Sequence, residues 1–219
     1  MSVEFNYYFC GKVLGDMVIL PSAYWGSVEY FAHLVQGGAE VVIDLGENYV
    51  KRSERNRARI MTSDGVMELS AQVVRANRPR QPMHAMRLDY SKRWQKQHWG
   101  ALMAAYKASP YFDYYAPRLE RFYDREYPSL VAFNLALIAE LCAMLGLQMP
   151  PVTEQYIEAE ADDLDLRPKQ KEGPAFVTEP YIQVFADRQP YVGNLSVVDL
   201  LFNEGPAALG VLRRCRPAW

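Results

Sequence analysis

The chain contains no stretch approaching eighteen uninterrupted apolar residues, so no helix is expected to span a membrane. No basic amino-terminal segment precedes a long apolar run, and no signal peptide is read from it. Cysteine is scarce: Cys10, Cys142 and Cys215 are odd in number and far apart, without CxxC or Cys/His spacing. That argues against a disulfide framework and a structural zinc site, and leads us to expect a reducing compartment and a soluble, cytoplasmic protein. Neither sign of charge dominates, with 24 Lys and Arg against 26 Asp and Glu. A net charge of -2 speaks against a general nucleic-acid coat, whose whole surface is usually basic. What the chain has in quantity is aromatic: 15 Tyr and 4 Trp, which suit a core of polar-tipped rings or a surface that grips planar or sugar-like ligands.

The 219 residues, half of them hydrophobic and 23% charged, predict one folded α/β domain over residues 1–219. Val18-Ile19-Leu20 before Pro21 reads as a first buried strand. A loop from Ser22 follows, with Ser27 as cap of a helix whose apolar residues Val28, Phe31, Ala32, Leu34 and Val35 have helical spacing. Gly37-Gly38 stops that helix, and Ala39 to Asp44 resumes as strand. This β-α-β order predicts a parallel pair whose carboxyl ends deliver Tyr24 and the chain after Asp44 to one crevice. Asp64-Gly65 between apolar runs predicts a β-hairpin, and alternation over Met83 to Leu88 predicts a further strand. A helical middle segment follows. Trp94, His98, Ala101, Leu102 and Ala105 share one face, and a second helix starts with Pro128 as its first residue and closes at Gly146, with Cys142 as inert packing beside its stripe. Acids crowd residues 150–175, which read as an exposed connection rather than a metal site. Tyr181 to Phe185 predicts a returning strand, and Ser196 to Asp199 a capped short helix; this carboxyl-terminal strand and helix pack back on the core.

The stretch DLGENYVKRSERNRAR, from Asp44 to Arg59, organises the functional reading. Lys51, Arg52, Arg55, Arg57 and Arg59 supply five cations in nine residues, against Glu54. Arginine offers planar, bidentate donors for phosphate or carboxylate, and a strand end that delivers them is a common place for a site. Arg75, Arg78 and Arg80 form a more diffuse basic patch of the kind a solvated loop carries. In the leading reading Lys51, Arg55 and Arg57 hold the phosphates of an activated donor and Asn56 orients it. His98, inside an apolar stripe, is the general base, and Asp44 or Glu47 polarises it or holds the acceptor. Tyr24 and Tyr181 flank the acceptor. The partners expected are a small-molecule activated donor and a sugar acceptor. The alternative is a non-catalytic module binding a nucleotide, glycan or protein through the same segment; nucleic acid is not expected, and no cofactor, metal or oligomeric state is read from the sequence.

Several stretches together carry a resemblance. Glu29-Tyr30-Phe31, Ile43-Asp44 with Glu47, Tyr49 and Lys51, Arg55-Asn56-Arg57, and Trp94 with His98-Trp99 belong to one pattern. Ala105-Tyr106, Ser109-Pro110-Tyr111-Phe112 and Tyr114-Tyr115 continue it. Tyr181-Ile182-Gln183-Val184-Phe185 and the most specific stretch, Asn194 to Pro206 (NLSVVDLLFNEGP), complete it. The chain resembles the WbqC-like family, in its shorter form, over nearly its whole length. The resemblance implies a place in O-antigen or related surface-polysaccharide biosynthesis and a transferase attaching glycine or another small group to a sugar. It also puts Gln183, Asp199 and Asn203, from the matching carboxyl-terminal stretches, among the expected substrate contacts. Departures are Leu20 where longer members have Gln before the proline, Arg52 where relatives often have Gln or Ser, Gly193 in place of a usual Pro, and the lack of a Gly- and Tyr-containing stretch within 150–180.

Overall fold

A computed structural model describes residues 17–36, 40–74, 80–168 and 176–217. Strand β1 (Met17–Pro21), helix α1 (Val28–Gln36) and strand β2 (Glu40–Asp44) form the expected β-α-β unit, with β1 and β2 parallel and Leu20 opposite Ile43. Val18, Ile19 and Leu20 are completely buried, as a central parallel strand covered on both faces requires. Ser27 caps α1 by accepting the Tyr30 N–H at 3.2 Å.

Strands β3 (Arg57–Thr62) and β4 (Gly65–Ser70) make the hairpin, with Thr62 opposite Gly65 and Ser63-Asp64 as its two-residue turn. Gly65 leaves the turn at φ +103°, which side-chain-bearing residues rarely adopt. The strand expected over Met83 to Leu88 does not form. Met83–Ala85 is a single 3-10 turn, Met83, Met86 and Leu88 are buried at spacings of three and two, and Leu88 keeps only an isolated bridge to Val73. Of the diffuse basic patch, Arg80 is exposed, while Arg75 and Arg78 lie outside the described residues.

Helices α2 (Trp94–Tyr106), α3 (Phe112–Glu120) and α4 (Leu130–Leu145) build the middle. Ser129, not Pro128, begins α4: its hydroxyl accepts the Ala132 N–H at 3.1 Å, so Pro128 stands one residue before the cap. Gly146, at φ +69°, ends the helix in the left-handed conformation, as expected. Leu130, Phe133, Leu137, Ile138 and Leu141 are completely buried, whereas Leu135 is only half-buried.

The stretch read as an exposed acidic connection does more than cross. It supplies the two outer strands β5 (Val152–Thr153) and β6 (Leu164–Asp165), giving a parallel sheet of order β5-β2-β1-β6. Further on, β7 (Phe176–Val177) pairs antiparallel with β8 (Arg216–Pro217), around α5 (Val197–Glu204) and α6 (Ala208–Arg214). Tyr181 to Phe185 is not a strand: Tyr181 and Gln183 point inward, Ile182 is exposed, and the chain turns as the Ala186 N–H donates to the Gln183 carbonyl. The carboxyl-terminal part packs back on the start through paired backbone bonds, Val28 N–H to the Leu195 carbonyl and Val197 N–H to the Gly26 carbonyl, both at 2.9 Å. One hydrophobic core runs from β1 to Cys215. Among the described residues no helix is long and apolar enough to cross a membrane.

Candidate functional site

Where β1 ends at Pro21, the loop before α1, the segment from Arg52 to Arg59 and residues 166–168 enclose a cleft of about 270 Å³. Arg52, Arg55, Arg57, Arg59 and Arg167 line it, together with Tyr24, Glu54 and Glu68. Their charges are not equivalent. Arg55 is buried and spans both oxygens of Glu47, with Nε 2.8 Å from Oε1, and donates a further bond to the Arg167 carbonyl at 2.8 Å. Arg167 pairs with Asp44 and, at 2.7–2.8 Å, with both oxygens of Asp165. Burial opposes the charge of Arg167, but Asp165 and Asp44 hold it protonated. Burial pushes the Glu47 carboxyl up despite Arg55. Arg57 pairs with Glu68 across the hairpin. Arg52 and Arg59 have no ion-pair partner among the described residues, so their guanidinium groups are the uncommitted cations of the cleft.

Backbone strain gathers at this place. The non-glycine residues with positive φ among the described residues are Trp25, Arg52 and Asn194; the last two line the cleft and Trp25 stands between two residues that do. Side-chain-bearing residues in this conformation cost energy and persist where surrounding structure enforces them, often at binding sites. The amino ends of α1 and α5 also meet there, joined by the bridge between Ser27 and Ser196. Their first-turn N–H groups are occupied: Glu29 by Asn194 Oδ1, Tyr30 by Ser27 Oγ and Val198 by Ser196 Oγ. The two helices therefore contribute dipole rather than free donors.

Tyr24 lines the cleft but turns its hydroxyl into the core. That oxygen lies 2.7 Å from His98 Nδ1 and 2.7 Å from the Tyr123 hydroxyl, which also accepts the Trp25 indole N–H at 2.7 Å. Phe133 stacks on Tyr24, and Trp94 meets His98 edge-on. Burial lowers the His98 pKa to about 4. The expected acid–base set is thus dispersed into separate partnerships. His98 bonds to Tyr24. Asp44 accepts from the Gly46 and Ile157 N–H groups and from Arg167, and Glu47 is taken by Arg55.

Of the expected substrate contacts, Tyr24, Arg55 and Arg57 line the cleft. Lys51 is exposed on the adjoining turn and is not part of this wall. Asn56 is buried, donating to the Ala71 carbonyl at 3.1 Å while its Oδ1 has no partner among the described residues. Tyr181, Gln183, Asp199 and Asn203 form a second, internal cluster. The Asp199 carboxylate accepts from Tyr106 at 2.7 Å, Tyr181 at 2.5 Å and Gln183 at 3.0 Å, and Asn203 donates to the Asp199 carbonyl at 2.8 Å. Burial raises the Asp199 pKa against those three bonds. Arg167 stands among acids with no sequence signal to mark it, and Asn194 opens the most specific stretch of the resemblance without being among the expected site residues. Arg52 and Arg59 belong to the basic stretch but are not among the expected substrate contacts. Among the described residues no cluster of His, Cys, Asp and Glu suits a metal ion.

The family model of the WbqC-like protein family matches residues 22–173, which carry most of this cleft. The chain is also 28% identical over 211 residues to an uncharacterized protein of Mycobacterium tuberculosis (Rv1507c), covering 81% of this chain and 89% of that one. No solved structure matches.

Proposed function

The chain belongs to the WbqC-like protein family, and on that premise we propose that it is a group transferase of bacterial surface-polysaccharide biosynthesis, of the O-antigen type. In this reading it moves glycine or another small acyl group from a phosphate-bearing donor to a sugar. The observation that supports it is the uncommitted pair Arg52 and Arg59 beside Arg57 on one cleft wall. Guanidinium groups bind phosphate oxygens through parallel, charge-assisted bonds, and the positive φ at Arg52 and Asn194 marks a wall whose backbone the surrounding structure enforces. Arg55 and Arg167 line the same cleft as cations already paired, Glu47 and Asp44 fixing their direction. Tyr24 flanks the acceptor, and exposed Lys51 adds to the attraction for an anion. Tyr181, Gln183, Asp199 and Asn203 support the site by holding α5, whose capping Ser196 lines it.

A second reading, a binding module without turnover, is favoured by the state of the expected acid–base groups. Asp44 and Glu47 are engaged by arginines, and His98 lies behind Tyr24. Both readings are tested by thermal unfolding of the purified protein with nucleotides, nucleotide-sugars, acyl-CoA thioesters and amino acids. A ligand at a hundredfold excess over its dissociation constant stabilises by about 2.7 kcal/mol. Stabilisation by a phosphate-bearing compound, lost in Arg59→Ala, is the expected result, and mass spectrometry of a donor–acceptor mixture then separates transfer from binding. If no phosphate-bearing compound moves the midpoint, the donor-site reading fails.

A further inference from the structure

Trp25, Tyr123, Tyr24 and His98 form a hydrogen-bond chain whose direction is set by its first member. An indole N–H can only donate, so Trp25 gives its hydrogen to the Tyr123 oxygen at 2.7 Å. The Tyr123 proton then has one recipient among the described residues, the Tyr24 oxygen 2.7 Å away. Tyr24 in turn passes its proton toward His98 Nδ1 at 2.7 Å. In the opposite direction His98 Nδ1 would carry the hydrogen, and Tyr24 and Trp25 would both donate to Tyr123. The Tyr123 hydroxyl hydrogen would then be left buried without an acceptor, or, if Tyr123 donated to Tyr24 instead, the Tyr24 hydrogen would be, an arrangement folded proteins avoid. We infer that His98 stands at neutral pH as the Nε2–H tautomer, a hydrogen-bond donor rather than a proton-abstracting base, with Trp25, Tyr123 and Tyr24 as the positioning residues that fix it.

This reverses the role expected for His98 from sequence. Nδ1, the nitrogen bearing the lone pair, is consumed by Tyr24. Nε2 has no partner among the described residues, yet it is not shut off from solvent as the unpartnered Trp94 and Trp99 indole nitrogens are. What the ring offers to a molecule beside it is a hydrogen for an oxygen acceptor. A base for any transfer must then be another group. The inference is independent of the arginine cleft, and holds for a transferase and a binding module alike.

Long-range proton–nitrogen correlation spectra of the uniformly 15N-labelled protein at pH 7 read the tautomer directly. The chain has three histidines, His33, His84 and His98. Comparison with His84→Gln and His33→Gln assigns His98 by elimination without altering it. The expected pattern for His98 has a protonated Nε2 and an unprotonated Nδ1. A protonated Nδ1, or a cationic ring at pH 7, overturns the inference. A folded Tyr123→Phe protein, in which Tyr24 no longer has a donor fixing its orientation, should show a mixture of tautomers. A spectrum unchanged from the parent would remove the hydrogen-bond chain as the cause.

Discussion

His98 and Asp199 are both buried ionisable groups, and they pull stability in opposite directions with pH. Burial holds His98 at about 4 against an ordinary 6.5. Between those values the unfolded chain binds more protons than the folded one, so this contribution is present above pH 6.5 and is lost as pH falls toward 4. Its ceiling is about 3 kcal/mol, the span multiplied by roughly 1.4 kcal/mol per pH decade. Denaturant unfolding of the parent and of His98→Gln across pH 4–7 should show the slope flattened in the variant; equal slopes would contradict the buried neutral ring. Asp199 works the other way, because burial raises its folded pKa. Its contribution is present below the unfolded value near 3.8 and declines as pH rises through the folded one. The arginines divide in a comparable manner. Removing Arg55 leaves Glu47 buried without its partner, at a cost of roughly 3–5 kcal/mol. Arg59 is exposed and makes no ion pair among the described residues, so Arg59→Ala should change stability by less than about 0.5 kcal/mol while abolishing anion-dependent stabilisation. Urea titrations of both variants, with and without ligand, separate the two roles.

At the scale of elements, two glycines carry different loads. Gly205 ends α5 at φ +53°, and a Cβ there would lie 2.4 Å from the Tyr111 ring. Gly65 has φ +103° and open space around it. Gly65→Ala should therefore cost about 1 kcal/mol through backbone strain alone, and Gly205→Ala roughly 1–3 kcal/mol more through overpacking. Measured by chemical denaturation, the Gly205→Ala loss should shrink in a Tyr111→Ala background; strict additivity would rule out the ring contact as its source. These elements also mark what the sequence made legible. The β-α-β unit and the hairpin could be read because alternating and 3.6-residue patterns run long enough to be told apart, and because Asp64-Gly65 marks where the Ser63-Asp64 turn closes into β4. Met83 to Leu88 and Tyr181 to Phe185 misled because a few alternating apolar residues fit a 3-10 turn or an inward-facing loop equally well. β5 and β6 span two residues each, too short for any period, and their place is fixed by pairing with β2 and β1 more than a hundred positions away. The cleft was legible as a basic stretch, but the sorting of its arginines was not. Which are free and which are spent depends on Glu47, Asp44, Asp165 and Glu68, and three of those pairings are set by tertiary geometry.

For the molecule as a whole, the cleft is assembled from segments at both ends of the chain. Its wall draws on residues from the stretches 21–27, 52–59 and 166–168, with Glu68, Asn194 and Ser196. The Ser196 N–H donates to the Arg59 carbonyl at 2.8 Å, and Asn194 bonds Glu29 through both side-chain atoms. Asp199 extends this tie to the hairpin, since Tyr106 donates to Asp199 while its oxygen receives the Met61 N–H at 3.0 Å. With one continuous core behind these bonds, neither end can detach without exposing the other's apolar surface. Unfolding in urea should therefore be a single transition, coincident by tryptophan fluorescence and far-ultraviolet circular dichroism. Asp199→Ala is the sharper test of the connection, because that carboxylate makes no part of the cleft wall. It leaves the Tyr106 and Tyr181 hydroxyls and the Gln183 amide without their shared acceptor, and should lower stability by several kcal/mol. If α5 and the loop at 181–183 hold the cleft as a unit, the folded Asp199→Ala protein should also bind its anionic ligand more weakly than the parent at a temperature well below both midpoints. Undiminished affinity in a destabilised variant would mean that the Arg52 to Arg59 segment keeps its binding geometry without support from the carboxyl-terminal part.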